Sequence, residues 1–196
     1  MRTIGTSESG AIFSDDMKYR YRLWRCWKPE LPRACFILLN PSTADEIAND
    51  PTVERQIRRV ERWKDRNATL FGEAAATARE FGSLEVVNVC AWRSSDPSAL
   101  YEVEDPVGDE NGEAIHTACE SALDTEGIVI CGWGTHADKL DAGKYTLHQI
   151  LLDSLGNMPL CALKLNQDGT PVHPLYLPYD IPPRKWVDGE LKEEAI

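Results

Sequence analysis

Residues 36–45, FILLNPSTAD, run four apolar side chains straight into Asn40-Pro41-Ser42-Thr43. The amide and hydroxyls of that cluster both donate and accept hydrogen bonds, and Pro41 stops a strand from continuing. Such residues suit holding a polar ligand or a water at a strand end; they also suit turning the chain and capping the next element. Asp45 adds a carboxylate five residues after Asn40. Further along, Asn88 interrupts the apolar run LEVVNVC, where a buried amide must find partners. Gly132-Trp133-Gly134-Thr135-His136 follows the apolar GIVIC, and QDGTPVHPLYLPYD, with His173 and Tyr176, follows residues 160–165.

These clusters need elements to position them. Residues 19–25, YRYRLWR, alternate with the period of a half-buried strand. Residues 34–39 form a continuous apolar run of strand length, the pattern of a strand buried on both faces, and residues 84–90, 127–131 and 160–165 read as further core strands. Asp50-Pro51 starts a helix, with Asp50 as N-cap and Pro51 at the first position, where its missing N–H costs nothing. Val53, Ile57 and Val60 give that helix an apolar stripe, and Arg55, Arg59, Arg62 and Arg66 a basic one. Further helices are expected over 74–81, over 110–123, and over 144–155 with Gly156 as its stop. Strands alternating with helices predict a mostly parallel sheet covered on both sides, with ligands beyond the carboxyl ends of the strands. The polar clusters after Leu39, Cys131 and Leu165, and Asn88 near its own strand end, all fall there.

The 196 residues suit one domain over 1–196, with a core of about 17–186 and an acidic C-terminal tail. A composition of 42% hydrophobic and 27% charged residues is that of an ordinary globular chain. No apolar run approaches the roughly 18 residues that span a bilayer, and MRTIGTSESG lacks a secretory apolar segment, so no membrane partner and a cytoplasmic location are expected. Six cysteines without a CxxC pair read as free buried thiols rather than a metal cluster. The net charge of −11 opposes phosphate binding, yet residues 17–66 hold twelve Lys or Arg against seven Asp or Glu. That basic segment is either a solvated face or a phosphate footprint.

In order, YRYRL, LLNPSTAD, NDPT, VVN, DPVGDEN, GWGTH and DGTPVHPLYLP resemble the family of domain of unknown function number sixteen forty-three, over about residues 19–186. The same order of signals more distantly resembles the uracil-DNA glycosylase superfamily. Leu39-Asn40-Pro41-Ser42 is similar to its Gly-Ile-Asn-Pro element, Val87-Asn88-Val89 to its Thr-Asn-Val element, and His173-Pro174-Leu175-Tyr176-Leu177 to its His-Pro element. Leu38 stands where that pattern has glycine, and the cysteine pairs of its iron-sulfur branches are missing.

This resemblance implies an α/β three-layer sandwich with a central four-stranded, mostly parallel sheet flanked by helices. It implies a DNA N-glycosylase-like hydrolase that excises a uracil-like, damaged or modified base by water attack, with no cofactor or metal. Asn40 would position the water, Asp45 would take its proton or stabilise the cationic sugar, and His173 would stabilise charge on the leaving base. Asn88, Trp133, Tyr176, Pro41 and Ser42 would hold the base, while Arg20, Arg22, Arg93, Arg55 and Arg59 would track DNA phosphates. A non-catalytic nucleotide or nucleic-acid binding module, and a hydrolase of free nucleosides or nucleotides, fit the same residues.

Overall fold

The computed structural model describes residues 1–63, 80–137, 140, 151, 155–187 and 189–192. Nine strands form one sheet: β1 (Arg2–Gly5), β2 (Ser9–Phe13), β3 (Arg20–Cys26), β4 (Arg33–Leu38), β5 (Ser83–Asn88), β6 (Ile128–Cys131), β7 (Leu160–Ala162), β8 (Arg184–Val187) and β9 (Glu190–Leu191). Their order is β1-β2-β3-β5-β4-β6-β7-β8-β9. Two α-helices lie among the described residues, α1 (Pro51–Trp63) and α2 (Asn111–Leu123).

The expected four-stranded, mostly parallel sheet is therefore corrected to a nine-stranded mixed sheet in which antiparallel pairing predominates. Parallel ladders join β5 to β4, β4 to β6 and β6 to β7. The other five, β1–β2, β2–β3, β3–β5, β7–β8 and β8–β9, are antiparallel. The added strands escape an apolar-run criterion because they are short, and no residue of β1 or β8 is fully buried. The sheet also runs past both ends of the expected core, from Arg2 to Leu191. Most of the helix expected over 74–81 and of that over 144–155 lies outside the described residues.

Alternation along β4 decides which face each side chain serves. Ala34, Phe36 and Leu38 pack with Val53, Val60 and Trp63 of α1, and Cys35, Ile37 and Leu39 pack with Ile115, Ala118, Cys119 and Ala122 of α2. Trp63 stacks on Phe36 at 6.3 Å and meets Phe81 edge-on at 5.7 Å, all three fully buried. Each ring contributes about 2–3 kcal/mol through burial, which anchors the far end of α1 and leaves its first turn at the carboxyl end of β4. There the Asp50 carboxylate accepts from the Val53 N–H at 2.8 Å, capping the helix as its sequence predicts.

All six cysteines are free thiols, five of them buried. No helix of the described residues is long and apolar enough to cross a membrane.

Candidate active site

A cavity of about 560 Å³ opens at the carboxyl ends of the parallel strands. Asn40 and Ser42 reach it from the end of β4, Asp50 and Thr52 from the start of α1, and Ser94 and Ser95 from beyond β5. Trp133, Thr135 and His136 enter after β6, and Asn166, His173 and Tyr176 after β7. Its volume falls within the range of small-molecule sites. Among the described residues, no group of three His, Cys, Asp or Glu side chains is placed to hold a metal ion.

Asn40 is oriented by two carbonyls. Its Nδ2 donates to the Ser94 carbonyl at 2.8 Å and to its own neighbour's, Pro41, at 3.2 Å. The Ser94 N–H returns a bond to the Pro41 carbonyl at 2.9 Å, so the loops after β4 and β5 lock together. With the amide nitrogen engaged, Oδ1 is the acceptor that Asn40 retains for a ligand or a water.

His173 sits just before a 3-10 turn, Pro174–Tyr176, and its Nδ1 accepts from the Leu175 N–H at 3.4 Å. That bond assigns the imidazole proton to Nε2. Burial pushes the ring down to about 4 against the pull of Asp50, so at neutral pH His173 is an uncharged Nε2–H donor. Gly132 allows the loop to approach the strand end, because a Cβ there would lie 2.8 Å from Pro174 Cδ. Trp133 is 4% exposed and packs edge-on against Trp186 at 5.5 Å, while Tyr176 is 86% exposed on the rim. Near the same cavity, Tyr101 Oη meets His136 Nδ1 at 3.0 Å.

A family model described as Protein of unknown function (DUF1643) matches residues 20–175. The chain belongs to this family. The DUF1643 match takes in Asn40, Asp50, Trp133 and His173 and stops one residue short of Tyr176. No curated protein and no solved structure matches the chain.

Of the residues the sequence singled out, Asn40, Ser42, Trp133, His173 and Tyr176 share this one cavity. Pro41 lies buried beside it and offers its carbonyl to Ser94. Asp45 stands outside: its Oδ1 accepts from the Ala48 and Ile47 N–H groups, and those bonds hold the carboxyl below its usual range. A carboxylate committed to a turn in this way is a weaker base than the sequence suggested. Asn88 also lies outside the cavity. It is 1% exposed, its Oδ1 takes a bond from Arg20 Nη2 at 3.4 Å, and its carbonyl takes one from Asn111 Nδ2 at 2.9 Å.

The arginines expected on phosphates are engaged within the fold. Arg20 is 2% exposed and donates to the Ala44 carbonyl at 2.7 Å, and burial lowers its guanidinium to about 10. Arg22 pairs with the fully buried Glu85, as does Arg33 at 2.9 Å. Arg93 donates to the Met17 carbonyl and lies over the Phe13 ring. Arg55 and Arg59 grip the histidine loop. Arg59 is fully buried and donates to the carbonyls of Pro178 (2.7 Å), Leu177 (2.9 Å) and Pro174 (3.1 Å). Arg55 reaches Leu177 O at 2.8 Å, and Arg55, Arg59 and Arg62 surround the Tyr179 ring at 4.3–5.5 Å. Arg55, Arg59 and Arg62 of the expected basic stripe thus latch the loop that carries His173, and Arg66 lies outside the described residues.

Sequence reasoning assigned Asp50 to helix capping alone, yet it is 5% exposed and lines the cavity. Its signal was present in the position of NDPT, ten residues after Asn40, because a helix starting there returns its cap to the same strand end.

Proposed function

We propose that the cavity is the active site of a hydrolase that cleaves an N-glycosidic bond, acting first on a uracil-like, damaged or modified base displaced from DNA. The observation that carries this is the opposed chemistry of two groups on one wall set. Asn40 retains an acceptor, Oδ1, and His173 is held as a neutral Nε2–H donor. Hydrolysis needs both: an acceptor to orient the attacking water, and a donor where negative charge develops on the departing base. The water oxygen bonds to the anomeric carbon as the carbon–nitrogen bond breaks. The bonding pair leaves with the base, and the proton released by the water ends on the base nitrogen. Trp133 and Tyr176 supply ring faces or edges for a heterocycle. The resemblance of LNPS and HPLYL to the uracil-DNA glycosylase elements supports the same chemistry.

A hydrolase of free nucleosides or nucleotides is the second reading, and one observation favours it. Arg20, Arg22, Arg55, Arg59 and Arg93 are engaged with internal partners rather than presented to a phosphate backbone. Both readings predict base release, so one experiment separates them. Duplex and single-stranded oligonucleotides carrying uracil or modified pyrimidines, and the matching free nucleosides, are incubated with the protein, and free base is measured by mass spectrometry. Release from oligonucleotides identifies the first reading, and release from nucleosides alone the second. Asn40→Ala and His173→Ala each lower the rate roughly 100-fold or more, the usual effect of losing one such group. Ligand binding without release of any base identifies a binding module and ends the hydrolase proposal.

A further inference from the structure

Asp50 does more at this cavity than its capping role requires. The cap uses one carboxylate oxygen, Oδ1, on the Val53 N–H. Oδ2 has no hydrogen-bond partner among the described residues, and Asp50, a residue only 5% exposed, lines the cavity. A carboxylate oxygen open to a half-enclosed cavity in this way is expected to meet a donor or a cation there.

Three features of the surroundings sharpen what that partner is. Among the described lining residues Asp50 is the one carboxylate, and none is Lys or Arg. Arg20 is the cation behind it, and Asp50 is the largest charge opposing the burial of that guanidinium. Arg20 nevertheless directs its bonds to Ala44 and Asn88, so it gives Asp50 a field without occupying Oδ2. The aromatic side chains Trp133 and Tyr176 line the same cavity, and aromatic faces beside a carboxylate favour a cation. A 560 Å³ cavity also has room for a substituted ring.

We infer that the cavity selects a nucleobase bearing a positively charged amine, whose ammonium group is received by Asp50 Oδ2 beside the aromatic side chains of Trp133 and Tyr176. This names the substrate class of the site proposed above and rests on that proposal for the identity of the ring. A plain cap does not need the charge. Asn caps a helix as well as Asp does, so Asp50→Asn keeps the Val53 bond and removes only the negative charge.

The test is isothermal titration calorimetry of the full chain with two near-isosteric ligands, aminomethyluracil, cationic at neutral pH, and hydroxymethyluracil, which is neutral. The wild-type protein binds the amine about 10- to 100-fold more tightly, as expected for a charge-assisted bond to a buried carboxylate. In Asp50→Asn the ratio of the two affinities falls to about one, read on protein whose circular-dichroism spectrum matches that of the wild type. Equal affinities in the wild type, a preference that survives in Asp50→Asn, or no detectable binding of either ligand overturns the inference. Should Asp50→Asn fail to fold, Asp50→Ser, which also caps, takes its place. The two proposals fail separately. Base release without a preference for the amine sinks the inference alone, and a preference lost in Asp50→Asn without release of any base sinks the hydrolase alone.

Discussion

Replacing Arg59 by methionine tests whether the basic face of α1 holds the His173 loop. Methionine keeps most of the side-chain length and apolar bulk and removes every donor. Pro178 O and the buried Gln56 Oε1 then each lose the donor Arg59 gives them, while Leu177 O keeps Arg55 at 2.8 Å and Pro174 O keeps the Leu177 N–H at 3.2 Å. Each of the two orphaned acceptors costs roughly 1–3 kcal/mol, and each of the two weakened carbonyls about 0.5–1.5 kcal/mol. Relief from burying a guanidinium, which burial already lowers to about 10, offsets part of this. The net expectation is a loss of about 3 kcal/mol in urea unfolding. Arg59→Lys retains a cation but not the planar fork, so it falls between wild type and methionine. The decisive readout is the His173 ring followed by NMR titration. In wild type it titrates near 4, and in Arg59→Met its midpoint rises toward about 6.5 as the loop opens to water. A methionine variant within about 0.5 kcal/mol of wild type, with an unmoved His173 titration, refutes the latch.

Three further outcomes follow from the site. Because the folded-state value of His173 is depressed to about 4, its neutral form contributes stability that is complete above about pH 6.5 and is lost as pH falls toward 4, up to about 3 kcal/mol. Urea midpoints across that range for wild type and His173→Asn check this, and equal slopes refute it. Asp45→Ala removes the acceptor of two backbone N–H groups and costs roughly 1 kcal/mol, yet leaves base release unchanged because the carboxylate is outside the cavity. A rate as low as that of Asn40→Ala would return Asp45 to the chemistry. Gly132→Ala places a Cβ 2.8 Å from Pro174 Cδ and 3.3 Å from Leu38 Cδ2, and it destabilises by about 1–3 kcal/mol, read as a lower thermal midpoint. No change there means that the loop does not rest on the strand end.

Local signals carried the centre of the fold and failed at its margins. The run 34–39 is apolar because β4 has a core on each face, and Asp50-Pro51 starts α1 because its cap and first residue suit nothing else so well. In contrast, β1 and β8 gain their stability from a neighbouring strand, and their exposed or half-buried side chains leave no run or alternation to read. The parallel block β5-β4-β6-β7 is thus continued antiparallel on both sides, beyond what a crossover pattern describes. Within the site, Asn40 and His173 were legible because each follows an apolar run with a turn-forming cluster. Asn88 differs: its amide Oδ1 meets Arg20 Nη2 inside the fold, so the need for a partner that its sequence position signals is answered away from the cavity.

The arginine stripe of α1 marks the limit of inference from a helical pattern. A row of guanidinium groups on one helix face fixes direction and spacing, but a phosphate oxygen and a backbone carbonyl oxygen ask the same thing of it. The opposite surface decides between them. Here that surface is PLYLP, a segment with two prolines among five residues, which supplies carbonyls that few backbone N–H groups are placed to satisfy. Arg59 and Arg55 meet that deficit, and in doing so they set the loop whose first residue is the half-buried His173. A proline-rich loop with carbonyls that its own N–H groups leave unmet is reason enough for a cationic face nearby. Three of the twelve cations in residues 17–66, Arg55, Arg59 and Arg62, are accounted for by that need.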